Sequence, residues 1–242
     1  MPSKRYMRST NFNDPEILGE CDMAELSNAP DDFLENCKGV LHVGANSGQE
    51  RDIYAQYGLP VVWFEALPNV FEELKANLAG YPNQTAIQAL LTDRDDEIYS
   101  FRVANNFAAS SSILEMKYHK DIWPEVYYIG QMHLTSTSLA RALASHRIQP
   151  SLYDALVMDT QGSELLVLQG SGNLLESLRF VKTEAADFEA YENCATVASL
   201  SEFLHGRDFR LVRKEKFADH PSLGAYYDVL FERAAPSARS SF

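Results

Sequence analysis

Two groups of residues near the start of this 242-residue chain have types and spacing that could grip a ligand. A glycine-bearing turn, Gly44-Ala45-Asn46-Ser47-Gly48, follows the apolar run Val40–Val43. A carboxylate, Glu65, ends a second apolar run, Val61–Phe64. A strand, a turn of this kind, a helix and a second strand ending in an acid can hold adenosine. Free N–H groups at the helix start face a negative group, and the acid accepts hydrogen bonds from both ribose hydroxyls. The competing reading is a tight turn that binds nothing and a solvated strand-end charge. The placement of Glu65 behind a buried strand weighs against it.

The ligand can be narrowed further. A dinucleotide fingerprint, Gly-x-Gly-x-x-Gly, uses its second glycine to let the backbone touch a pyrophosphate. Asn46 stands at that second position and Gln49 where the third glycine belongs, so a pyrophosphate would meet a side chain. No Gly-Lys-Ser/Thr follows, which excludes a Walker-type phosphate loop. S-adenosylmethionine carries no phosphate and tolerates both changes. Its methionine carboxylate still uses the helix-start N–H groups.

A third motif, Leu156-Val-Met-Asp-Thr-Gln-Gly-Ser-Glu-Leu-Leu-Val-Leu168, places Asp159 at a strand end. Together, Val43-Gly44-Ala45-Asn46, Glu65 with Pro68, and Asp159-Thr-Gln-Gly-Ser-Glu164 resemble the FkbM family of S-adenosylmethionine-dependent O-methyltransferases, over roughly residues 40–232. The resemblance implies an α/β Rossmann-like methyltransferase fold: a mostly parallel seven-stranded sheet with one antiparallel strand and helices on both faces. It also implies S-adenosylmethionine as methyl donor and a hydroxyl of a sugar, lipid or polyketide-type molecule as acceptor. By position, Gly44, Ala45, Asn46, Ser47 and Gly48 match the family's cofactor turn, and Glu65 with Ala66 the ribose-binding strand end. Ala89 and Leu90 fall where the third strand approaches the adenine, and Ser111 and Ser112 in a loop near the cofactor. Asp159 and Gln161 match the motif after the fourth strand. One departure stands out: His42 lies at the end of the first strand, where many such enzymes have an acid. It is either a hydrogen-bonded core histidine or a catalytic one, and it is left out of the cofactor set.

Methyl transfer to a hydroxyl is an in-line displacement that needs alignment, exclusion of water, and help in removing the hydroxyl proton. Three arrangements compete. Asp159 acts as base; or His119 does, delivered by an irregular loop; or Asp159 and Glu184, each at a strand end, share a divalent cation that lowers the acceptor's pKa. Glu184 can otherwise be a structural strand-end acid, and His119 a surface residue. Glu164 reads as a helix cap. The aromatic run Tyr118 to Tyr128, with Trp123, Tyr127 and Tyr128, reads either as a lid over the acceptor or as packing on the sheet edge. The rival functions are a nucleotide-dependent oxidoreductase and a non-catalytic S-adenosylmethionine-binding module.

These residues need a scaffold, and the chain alternates strand-like and helix-like segments. Strands are expected at 40–43, 61–64, 85–91, 98–103, 155–158, 180–183, 209–213 and 226–231. Helices are expected at 47–57, from Pro68 to Gly80, 136–146, 163–178 and 196–204. Residues 104–134 read as irregular. The last two strands lack an intervening helix and are expected to pair antiparallel. Residues 1–37 are expected to form an N-terminal cap, opened in part by Asp31-Asp32, residues 38–233 the methyltransferase domain, and residues 234–242 a disordered tail.

Composition bounds the partners. Apolar residues make up 45% and charged residues 23%, as in ordinary globular proteins. With 21 basic and 34 acidic residues the formal net charge is -13, which opposes nonspecific binding to nucleic acid or anionic membrane. Cys21, Cys37 and Cys194 show neither a disulfide nor a zinc spacing. No apolar run follows Lys4, Arg5 and Arg8, and no segment is long and apolar enough to span a bilayer. A cytoplasmic protein is therefore expected. The acceptor's identity, the oligomeric state and any metal requirement stay open in the sequence.

Overall fold

A computed structural model describes residues 31–234. The chain divides at Asn36 into two compact units. In the first, the described residues include a 3-10 turn, Asp32–Asn36. The remainder of the expected N-terminal cap, and the tail after Ala234, lie outside the described residues. Everything below concerns the second unit, which begins at Cys37.

Strands β1 (Val40–Val43), β2 (Val61–Glu65) and β3 (Gln84–Gln88) run parallel beside one another. β1 and β2 are buried along their whole length, as unbroken apolar runs in a parallel sheet must be. Short β4 (Leu90–Leu91) leaves this sheet and joins β5 (Ile98–Ala104) and β6 (Tyr128–Thr137) in a three-stranded one, ordered β4-β6-β5. β7 (Ala155–Met158), β8 (Phe180–Ala186), β9 (Phe209–His220) and β10 (Gly224–Arg233) complete the main sheet. Its order is β3-β2-β1-β7-β8-β10-β9, with β10 antiparallel to both neighbours. The expected sheet is therefore present: seven strands, mostly parallel, one reversed.

The helices cover both faces. Leu41 and Val43 belong to a core shared with α4 (Leu139–Ser145), α5 (Glu164–Gln169) and α6 (Val197–His205). On the other face His42 and Trp63 meet Tyr54 of α1 (Arg51–Gln56), while α2 (Pro68–Asn77) buries Val70 and Leu74. Among the described residues, no helix is long and apolar enough to cross a membrane.

Three expectations need correction. Residues 104–134 are not irregular throughout. They contain α3 (His119–Ile122) and the start of the ten-residue β6. β6 pairs with β5 through its backbone while only Ser136 of its ten residues is buried, so it carries little hydrophobic periodicity. The segment 85–91 breaks at Ala89 into two strands that belong to different sheets. The helix expected at 163–178 ends at Gln169 and resumes as a 3-10 turn, Gly172–Ser177. A Cβ on Gly170 would stand 2.1 Å from the Thr92 carbonyl oxygen, so this glycine lets the helix end lie on the chain leaving β4.

Candidate functional site

The glycine turn sits where β1 leaves the sheet. Gly44 has φ +78, and a Cβ there would be 1.9 Å from the carbonyl oxygen of Asp159. The turn after β1 and the motif after β7 thus touch backbone to backbone, which only glycine permits at Gly44. The contact is completed by the Asp159 N–H, which donates to the Val43 carbonyl at 2.9 Å. Gly44 and Ala45 both donate to the Phe64 carbonyl at 3.0 Å, tying the turn to the end of β2.

Glu65 is the centre of this side. One carboxylate oxygen accepts the Asn46 N–H at 2.9 Å and the other the Leu67 N–H at 2.8 Å. The side chain is buried, and loss of solvent pushes its pKa up to about 7 despite those two hydrogen bonds. Further O–H donors would favour its ionised form. The Ala89 N–H donates to the Glu65 carbonyl at 3.0 Å. Leu90 packs in an apolar cluster with Leu67, Val70 and the partly buried Ala66. Gly44 to Gly48, Glu65, Ala66, Ala89 and Leu90 are therefore gathered at one end of the sheet. Asn46 adopts φ +46, its side-chain oxygen accepts the Ser47 N–H at 2.7 Å, and its amide donates to the Phe107 carbonyl at 3.1 Å.

The serine pair makes hydrogen bonds within the protein. Ser111 Oγ accepts the Ala104 N–H at 3.0 Å. The Ser112 hydroxyl donates to the Gln161 carbonyl at 2.8 Å and accepts the Leu114 N–H. Both are buried, and Ser112 braces the loop against the motif after β7.

Asp159, Gln161 and Glu184 line one pocket together with Tyr191, Cys194 and Tyr226. Gln161, at φ +53, spans this wall. Its amide nitrogen donates to Asp159 Oδ1 at 2.5 Å, and its amide oxygen accepts the Tyr191 hydroxyl at 2.7 Å. Glu164 also borders the pocket, but one of its oxygens accepts Thr160 N–H, Thr160 Oγ1–H and Gly162 N–H at 3.0–3.1 Å. It closes the turn that opens α5, in keeping with the cap expected from the sequence. A shared divalent cation would draw on Asp159 and Glu184. Among the described residues no group of three or more His, Cys, Asp or Glu is arranged to hold a metal.

His119 is not a surface loop residue. It is buried in α3, with Nδ1 2.7 Å from the Tyr226 hydroxyl and Nε2 3.2 Å from Ser110 Oγ. Burial pulls its pKa down to about 4 against the opposing charge of Glu125. Trp123 packs on His119 and Tyr226, with ring centroids 4.7 and 5.0 Å away, so it is part of the fold's aromatic packing. Tyr128 donates to the Leu114 carbonyl at 2.7 Å. Of the aromatic run, Tyr118 and Tyr127 stay exposed.

His42 is settled as a core residue. Its ring stacks on Trp63 at 4.6 Å, and Nδ1 lies 3.0 Å from the Tyr54 hydroxyl. Sequence reasoning missed Tyr191 and Tyr226. Neither lies in a motif, and only the antiparallel insertion of β10 beside β8 brings Tyr226 to the pocket.

The methyltransferase FkbM domain matches residues 42–211. No curated protein matches the chain. Among solved structures, magnesium protoporphyrin IX methyltransferase from Synechocystis PCC 6803, with bound S-adenosylmethionine, is 12% identical with a TM-score of 0.44, covering 81% of this chain and 69% of that one. The CcbJ methyltransferase from Streptomyces caelestis is 10% identical with a TM-score of 0.45, covering 87% and 92%. TrmK from M. capricolum, in complex with S-adenosylhomocysteine, is 6% identical with a TM-score of 0.47, covering 81% and 62%.

Proposed function

The chain belongs to the FkbM-domain methyltransferases, and from that premise we propose that it is an O-methyltransferase acting on a hydroxyl of a sugar, lipid or polyketide-type small molecule. The observation that carries this reading is the backbone contact between Gly44 and Asp159. It sets the carboxylate that lines the pocket directly beside the turn that holds the methyl donor.

The residues fit S-adenosylmethionine. Glu65 is a buried carboxylate with room in its lone pairs for two ribose O–H donors. The turn from Gly44 to Gly48 faces the amino-acid half, and Leu90 with Ala66 offers apolar surface to the base. When bound, the cofactor supplies a methyl group already activated on a sulfonium. What this chain must add is alignment and removal of the acceptor proton.

Asp159 is the base we assign. Its Oδ1 is fixed by Gln161, and its carboxylate borders the pocket that the acceptor would enter. Glu184, on the same wall, orients the acceptor's hydroxyls or joins Asp159 on a cation. His119 is a poorer base, because both ring nitrogens are engaged and it does not line the pocket. The net charge of -13 disfavours RNA as the acceptor and suits a small neutral molecule.

The test has two steps. Isothermal titration with S-adenosylmethionine and with NAD is expected to show binding of the first alone; binding of NAD alone would overturn the cofactor assignment. Mass-spectrometric screening of glycan, lipid and polyketide pools should then reveal an added methyl on oxygen. Loss of that product in Asp159→Asn, with donor affinity retained, supports the base. Methyl found only on nitrogen or carbon would overturn the O-methyltransferase reading.

A further inference from the structure

Phe107 is a large apolar side chain left 88% exposed, although phenylalanine is among the residues most often buried. It is not on a loose loop. Asn105 donates to the Tyr127 carbonyl through its N–H and to the Glu125 carbonyl through its amide, and its side-chain oxygen accepts the Tyr127 N–H. Asn106 bonds Ser110 twice, and the Ser111 N–H closes on the Ala108 carbonyl. Within this pinned segment Phe107 and Ala108 take φ +56 and +62. Two successive non-glycine residues in the left-handed region are strained, and such strain persists where surrounding bonds enforce it.

The location gives the strain a meaning. The Phe107 carbonyl accepts the Asn46 side-chain amide at 3.1 Å, and the Asn46 N–H is bonded to Glu65 at 2.9 Å. An exposed phenyl-bearing residue is thus two hydrogen bonds from the acid placed to hold ribose. Resting on the S-adenosylmethionine reading, we propose that Phe107 is the apolar cover of the cofactor's nucleoside half. Its ring gives up water for the ligand, and the strained backbone and the Asn46 amide hold it at the rim beforehand.

The experiment is isothermal titration of the full chain with S-adenosylhomocysteine, beside thermal unfolding of the same proteins without ligand. Phe107→Ala is expected to weaken affinity about tenfold, equivalent to about 1.4 kcal/mol, while Phe107→Trp stays near wild type. Phe107→Gly should weaken affinity similarly yet raise the unfolding midpoint, because glycine adopts φ +56 without strain. Unchanged affinity in both small variants, with the wild type binding, overturns the Phe107 assignment and leaves the cofactor reading standing. A wild type that does not bind S-adenosylhomocysteine overturns both.

Discussion

Tyr226 and His119 meet across the wall of the pocket, the phenol oxygen 2.7 Å from imidazole Nδ1. Tyr226 comes from the reversed strand β10 and His119 from the short helix α3, so their contact joins the main sheet to the segment between β5 and β6. The imidazole is wedged between Trp123 and Tyr191, with centroids at 4.7 and 5.0 Å, and its second nitrogen faces Ser110. A neutral imidazole offers one donor and one acceptor, and two hydroxyl partners satisfy both. His119 is therefore built to hold Tyr226 and the Ser110 loop in place as a neutral ring.

That role has a pH signature. The folded pKa of His119 is depressed to about 4 from an ordinary 6.5. Between those values the unfolded chain binds the extra proton. The stability it contributes is fully present above pH 6.5 and is lost as pH falls toward 4, about 3 kcal/mol in all. In chemical denaturation, His119→Gln is expected to lose this acid-limb dependence. A wild-type slope surviving in the variant would refute the assignment.

Glu65 has the opposite sign. Its folded pKa is raised from 4.5 to about 7, so its stabilising contribution is complete below pH 4.5 and gone above about 7. Glu65→Gln should therefore lose the fall in stability that wild type shows between pH 4.5 and 7, about 3 kcal/mol over that range, while losing most affinity for S-adenosylhomocysteine. In the wild type the slopes of Glu65 and His119 oppose each other between pH 4.5 and 6.5, so each single variant should expose the other's slope. Ligand binding that needs ionised Glu65 releases protons near pH 6. Titration in buffers of differing ionisation enthalpy measures that release, and none at all would count against the ribose contact.

The Tyr191 hydroxyl holds Gln161, and Gln161 holds Asp159. Tyr191→Phe keeps the ring but leaves the Gln161 amide oxygen without its donor. The expected cost is about 1–2 kcal/mol of stability, with unchanged S-adenosylhomocysteine affinity and a lower rate of methyl transfer once an acceptor is in hand. Weakened cofactor binding would place Tyr191 in the wrong half of the site.

The sheet, and the meeting of the glycine turn with Glu65, were legible because their signals are local. β1 and β2 are buried runs, apolar except for His42 and the terminal Glu65, and Gly44 and Asn46 sit at fixed offsets from them. The surroundings of the Asp159 pocket depend on contacts distant in sequence. His119 and Tyr226 are 107 residues apart, and Ser112 reaches Gln161 across 49. No window along the chain contains such a pair. His119 therefore read as a surface residue or a base, and β6, bonded through its backbone with one buried residue in ten, read as irregular. The Gln161 motif likewise carries no sign that Tyr191, 30 residues away, donates to its amide oxygen.

His42 separates position from role. It lies at the end of β1 where an acid is common in this class of fold, yet it stacks on Trp63 at 4.6 Å and faces the Tyr54 hydroxyl at 3.0 Å. Its side chain points to the face opposite Leu41 and Val43, into the packing under α1. Replacing it by alanine removes an aromatic contact and one hydrogen bond of the buried Tyr54, at about 2–4 kcal/mol. His42→Gln should recover part of that loss by restoring a polar partner for Tyr54. Neither change touches the turn, so S-adenosylhomocysteine affinity in the folded variants should match wild type. A tenfold loss of affinity in His42→Gln, with its unfolding midpoint near wild type, would return His42 to the binding site.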